Sequence, residues 1–137
     1  MRRFEIIEHT ADVGIAAYGK SREELFANAA IGMFHIIGDQ AQVEPHLARQ
    51  IHVHADDQEL LLAAFLSELL YLFEVEHFVL HDAAITRLSD TEVEATLHGE
   101  PISSKHDLCA GIKAVTHHDL TVTNQDGVWR ATVLFDV

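Results

Sequence analysis

Residues 60–75 read LLLAAFLSELLYLFEV. Leu61, Ala64, Phe65, Leu69, Leu72 and Phe73 recur at helical spacing and cover a wide arc, which predicts the central core helix of the chain. Asp56 or Asp57 stands where an N-cap is needed, and Glu59 follows in the first turn, where the positive helix end favours a carboxylate. Ser67 and Glu68 interrupt the apolar run. It falls short of the about 20 apolar residues that a bilayer requires, so no membrane span is expected.

The elements on either side follow from their own patterns. Before the helix, residues 47–55 alternate, with Leu47, Arg49, Ile51 and Val53 on one side and Ala48, Gln50, His52 and His54 on the other, as in a half-buried strand. After it, 78–88 and 92–99 are two strands joined through Ser89-Asp90, a hairpin signal. Upstream, Ser21 followed three residues later by Glu24 matches a capping box. The helix it opens places Leu25, Ala29, Gly32 or Met33, and Ile36 on one side and stops near Gly38. Residues 40–45 form a polar connector and 100–110 a loop. At the N-terminal end two short strands, 4–8 and 13–18, are separated by His9-Thr10-Ala11-Asp12. At the other end, strands 112–122 and 128–135 flank the turn Asn124-Gln125-Asp126-Gly127. The order β-β-α-β-α-β-β-β-β predicts one α+β domain over residues 1–137, with two helices packed on one face of a largely antiparallel sheet.

Composition narrows the function. The 137 residues are 48% hydrophobic and 23% charged, with 7 Gly and 2 Pro, which excludes a disordered or collagen-like chain. Nine Lys+Arg against 22 Asp+Glu leave a net charge of −13. Such a molecule repels phosphate backbones, so direct stable nucleic-acid binding is not expected, whereas a basic partner would be attracted. One cysteine, Cys109, precludes an internal disulfide, and the N-terminal residues do not read as a secretory leader, so a cytoplasmic protein is expected.

The sequence has no glycine-rich phosphate loop, paired-cysteine zinc motif or nucleophile elbow. Cys109 lacks an evident activating base and reads as a small structural residue. His52 and His54 lie two apart on one strand face and could share a metal, but they fall on the polar side of the alternation, which favours a solvated face. His117 and His118 are adjacent, so on a strand they point to opposite faces and do not share an ion. His9 and Asp12 interrupt the first strand pair; a bend there aims both into a common site, or Asp12 simply caps a backbone amide. Leu134-Phe135-Asp136-Val137 closes the sequence, and the Asp136 side chain and the α-carboxylate of Val137 offer two hard anionic oxygens one residue apart. If the last strand runs beside that of Asp12, three carboxylates converge, and a divalent cation offsets their repulsion. Oxygen ligands suit calcium, magnesium or manganese better than zinc. The alternative is two unrelated surface acids. Lys113, in Ile112-Lys113-Ala114-Val115, either snorkels or pairs with a carboxylate.

The run FEIIEHTADVGI (residues 4–15), with the following GKSREELFANAA (19–30), resembles the opening signature of the archease family. Lys113-Ala114-Val115-Thr116-His117-His118 is similar to that family's Lys-Ala-X-Thr-Tyr-His strand, and Phe135-Asp136-Val137 to its ending. The resemblance extends over essentially the whole chain. It implies a small acidic protein that activates an RtcB-type RNA ligase in tRNA splicing and RNA repair. Such an activator is not itself the enzyme: it promotes guanylylation of the ligase by GTP in the presence of manganese, and multiple turnover. It also implies a metal site at Asp12, Asp136 and Val137, with Lys113 important for activation; His9 is expected to orient Asp12. Two positions depart from the family pattern: Gly111, where many relatives carry Glu, and His117 in place of Tyr. Two other readings compete. One is a small metal-dependent hydrolase using His9, Asp12 and His118. The other is a general protein-folding modulator acting through its acidic surface.

Overall fold

A computed structural model describes residues 2–8, 12–38, 40–103, 105–106, 108 and 111–137. Ten main elements follow one another: β1 (Phe4–Glu8), β2 (Val13–Gly19), α1 (Arg22–Ile37), β3 (Leu47–His54), α2 (Gln58–Glu76), β4 (Phe78–Leu88), β5 (Glu92–Pro101), β6 (Ala114–Val115), β7 (Thr121–Gln125) and β8 (Val128–Asp136), with a single 3-10 turn at Gln40–Gln42. All strand pairs are antiparallel.

The strands divide into two sheets. One is ordered β1-β2-β8, with β6 and β7 both pairing along the far edge of β8; the other is ordered β3-β5-β4. The two helices pack against an antiparallel framework as the patterning implies, but they contact both sheets. α1 rests on β2 of the first and β4 of the second, and α2 contacts β3, β4 and β5 as well as β6 and β7. This accounts for the wide apolar arcs: a helix that packs against two sheets buries more of its circumference than one that packs against a single sheet. Leu61, Leu62, Phe65, Leu66 and Leu69 of α2, and Leu25, Phe26, Ala29 and Met33 of α1, are essentially inaccessible. Phe26 and Phe65 join the helices ring to ring at 5.6 Å.

Local signals set the element ends. The Glu24 amide donates to Ser21 Oγ at 3.1 Å, and the Glu24 carboxylate reaches back to the Lys20 amide at 3.2 Å. Asp57, not Asp56, caps α2, accepting from the Leu60 amide at 2.8 Å. Asp126 and Gly127 close the β7–β8 hairpin with φ of 55° and 82°, the left-handed pair that a two-residue type I′ loop requires.

One expected strand is broken. Residues 112–122 yield only β6 and the start of β7, because the chain turns at 117–120: Asp119 takes φ of 53°, and the Leu120 amide donates to the His117 carbonyl. The strand pattern persists through the break because β6 and β7 pair with the same strand at its two ends. Among the described residues no helix is long and apolar enough to cross a membrane.

Candidate functional site

The β2–β8 register brings distant parts of the chain together. Val13 pairs with Phe135 at the end of the ladder, so Asp12 and Asp136 are the next residues along two adjacent strands. Residues directly opposite in an antiparallel pair share a face, with Cβ atoms about 5 Å apart. Phe135 is fully buried toward the helices, so strand alternation turns Asp136 to the outer face, where it is exposed; Asp12 is half-buried. Val137, which follows, is 42% exposed.

Gly14 makes this approach possible. A Cβ there would lie 2.5 Å from the Val133 carbonyl oxygen and 2.6 Å from Leu134 Cδ2, so β8 comes as close as it does only because residue 14 has no side chain.

Lys113 reaches the same end of the sheet through its backbone. Its amide donates to the Asp136 carbonyl at 2.7 Å, and Ala114 pairs with Asp136. The side chain belongs to a groove of about 270 Å³ between α2 and β6, shared with Ser67, Leu70, Tyr71 and Glu74. Lys113 is exposed, and among the described residues it has no ion-pair partner. His9, with Thr10 and Ala11, lies outside the described residues. Cys109 does too. His118 stands on the turn after β6, 3.4 Å from its neighbour Asp119.

The sequence reading missed a second group of ionisable residues, around Glu100 at the end of β5. This carboxylate is buried, and its Oε2 accepts from the Glu44 amide at 2.9 Å, from Lys105 Nζ at 2.9 Å and from His106 Nε2 at 3.0 Å. The bond from His106, with that from Lys105, holds the Glu100 carboxyl at about 2. The Ser103 amide donates to His106 Nδ1 at 2.8 Å, so the proton lies on Nε2 and points at Glu100. Glu44 Oε2 accepts from His46 at 2.8 Å, and the potential ligand atoms of Glu44, His46 and Glu100 lie within 4.8 Å of one another. Lys105 Nζ, however, stands 3.3 Å from Glu44 and 2.9 Å from Glu100, where a cation would be needed. The Lys105 ammonium therefore stands between the two carboxylates, and together with His106 it ties the segment after β5 to the Glu44–His46 connector. Its members lie far apart in sequence, with no motif to link Glu44 to Glu100.

Comparison with known proteins places these features in a wider group. A family model described as the archease protein family matches residues 4–137. A protein archease of Methanosarcina barkeri is 38% identical over 141 residues, covering 99% of this chain and 97% of its own. One from Thermococcus gammatolerans is 38% identical over 143 residues, covering both chains completely. The solution structure of Methanobacterium thermoautotrophicum protein 1598 superposes with a TM-score of 0.83 at 32% identity, over the whole of both chains. A Thermotoga maritima crystal structure described as an archease and possible chaperone shares the fold, with a TM-score of 0.64 at 22% identity, covering 100% of this chain and 98% of its own.

Proposed function

Because the chain belongs to the archease family, we propose that it is a protein cofactor of an RtcB-type RNA ligase, promoting guanylylation of the ligase through a divalent ion held by Asp12, Asp136 and the α-carboxylate of Val137. The observation that supports this reading is the β2–β8 register, whose last pair, Val13 with Phe135, leaves Asp12 and Asp136 as the next residues on adjacent strands although they come from opposite ends of the sequence. Carboxylates that share a face at this range repel unless a cation lies between them. The donors are hard oxygens, which fit calcium, magnesium or manganese. An ion bound there would offset phosphate charge at the partner's nucleotide site.

The protein's own residues have separate roles. Gly14 sets the spacing of the two strands, and the Lys113 amide fixes the Asp136 backbone. The Lys113 ammonium is left to meet an anionic group of the partner's substrate. The net charge of −13 favours docking on a basic, RNA-binding protein.

The test is to mix the protein with a candidate ligase, GTP and manganese and follow covalent guanylylation over time. Asp12→Ala and Asp136→Ala are expected to abolish the stimulation while the circular-dichroism spectrum stays that of the parent. Full stimulation by both variants refutes the metal role. Turnover of phosphodiesters without any partner would favour a hydrolase instead.

A further inference from the structure

The outer face of the three-stranded sheet carries two short alternating motifs side by side, His52-Val53-His54 on β3 and Glu92-Val93-Glu94 on β5. The register pairs His52 with Glu94 and His54 with Glu92. Val93 is fully buried and Val53 packs on the core, so all four polar side chains point outward as a two-by-two square. We propose that His52, His54 and Glu92 form a binding site for a divalent transition metal of the zinc class.

Ligand spacing is the first argument. His52 Nε2 lies 3.2 Å from Glu92 Oε1. Two donors on one tetrahedral zinc, each bonded at about 2.05 Å, are about 3.3 Å apart. This diagonal pair is hydrogen-bonded, and its separation is also that of two ligands on one ion, which would take the place of the shared proton. The His52 and His54 rings have centroids 6.3 Å apart, against about 5 Å for two imidazoles on a tetrahedral ion. His54 is exposed, and binding requires it to rotate about its side-chain bonds toward the pair. Space is the second argument. A cleft of about 60 Å³ is lined by His52, Arg87, Glu92 and Glu94, with His54 outside its lining; a water needs about 10–15 Å³ of such space, so an ion and a water fit beside His52 and Glu92. Arg87 approaches Glu94 only to 3.9 Å and is itself 78% exposed, so it can swing aside, leaving Glu94 as a neighbouring negative charge.

Two imidazoles and one carboxylate suit zinc, copper or nickel. This separates the site from the all-oxygen set at Asp12 and Asp136 on the other sheet. It differs also from Glu44, His46 and Glu100, where Lys105 stands in the cation's place. Three protein ligands leave one position open to water or to a donor from another molecule.

The experiment is a calorimetric titration of the full chain with zinc chloride, with cobalt(II) absorption as a second readout of tetrahedral coordination. One equivalent of zinc should bind. His52→Ala, His54→Ala and Glu92→Gln should each weaken binding by more than about tenfold and remove the cobalt bands, whereas His46→Ala should leave both unchanged. The substituted side chains are exposed, and an unchanged thermal midpoint would confirm that the variants fold. Absence of zinc binding overturns the proposal, as does an isotherm insensitive to His52→Ala and His54→Ala, or one lost only with His46→Ala or Asp136→Asn.

Discussion

Replacing Gly14 by alanine tests the packing that brings the two aspartates together. The new Cβ would stand 2.5 Å from the Val133 carbonyl oxygen, where ordinary contact begins at 3.4 Å, so β2 and β8 must part locally by about 0.9 Å. The obstacle is backbone in a paired strand and cannot rotate away. Overpacking of this kind costs about 1–3 kcal/mol, and the gain from replacing glycine inside a strand returns about 0.5–1 kcal/mol. The midpoints of these two ranges leave about 1.25 kcal/mol of lost stability. For a chain of 137 residues, unfolding entropy near the midpoint makes each kcal/mol worth about 3.5 °C, so thermal unfolding followed by circular dichroism should drop by about 4 °C. Gly111→Ala supplies the control, because a Cβ there meets nothing within 4 Å; its midpoint should hold or rise slightly. Gly14 pairs with Leu134, two steps from Asp136, and metal sites tolerate about 0.2 Å in ligand position. Calcium or manganese affinity of the Gly14→Ala protein should therefore fall together with its midpoint. An unchanged midpoint would refute the close-approach argument, and a lowered midpoint with undiminished metal affinity would detach Gly14 from the candidate site.

Glu100→Gln probes the second ionic group. The Glu100 carboxyl is held at about 2 against an ordinary 4.5, so its contribution is complete above the ordinary value and is lost as pH falls through about 2. The melting difference between parent and variant should be constant above pH 4.5 and close on acidification to pH 2; a difference that persists undiminished at pH 2 contradicts the assignment. Asp57→Ala should cost about 1 kcal/mol through loss of the bond to the Leu60 amide, whereas Asp56→Ala should be neutral; equal effects in chemical denaturation would show that the cap has been misassigned. Adding a glycine after Val137 converts its α-carboxylate to a neutral amide and should weaken calcium or manganese binding, and equal affinity for the two chains would remove Val137 from the ligand set.

The sequence was sufficient wherever the signal is local. The apolar arc of 60–75, the Ser21–Glu24 box and the Asp126-Gly127 turn each lie within a few residues of what they specify, and all three appear as helix, cap and hairpin. The family could be read from motifs at both ends of the chain for the same reason. Tertiary structure decided which strands become neighbours. Nothing near β6 distinguishes one long strand from two short ones sharing β8, and nothing within α1 says that both β2 and β4 will pack on it. The approach of the Asp12 and Asp136 positions on adjacent strands, the placing of His52 and His54 against Glu92 and Glu94, and the convergence of Glu44 on Glu100 likewise arise only when chain segments tens of residues apart are brought into register. That register is chosen by burial of the apolar faces as a whole. A polar pair on the outer surface follows from it and leaves no periodic mark of its own in the sequence.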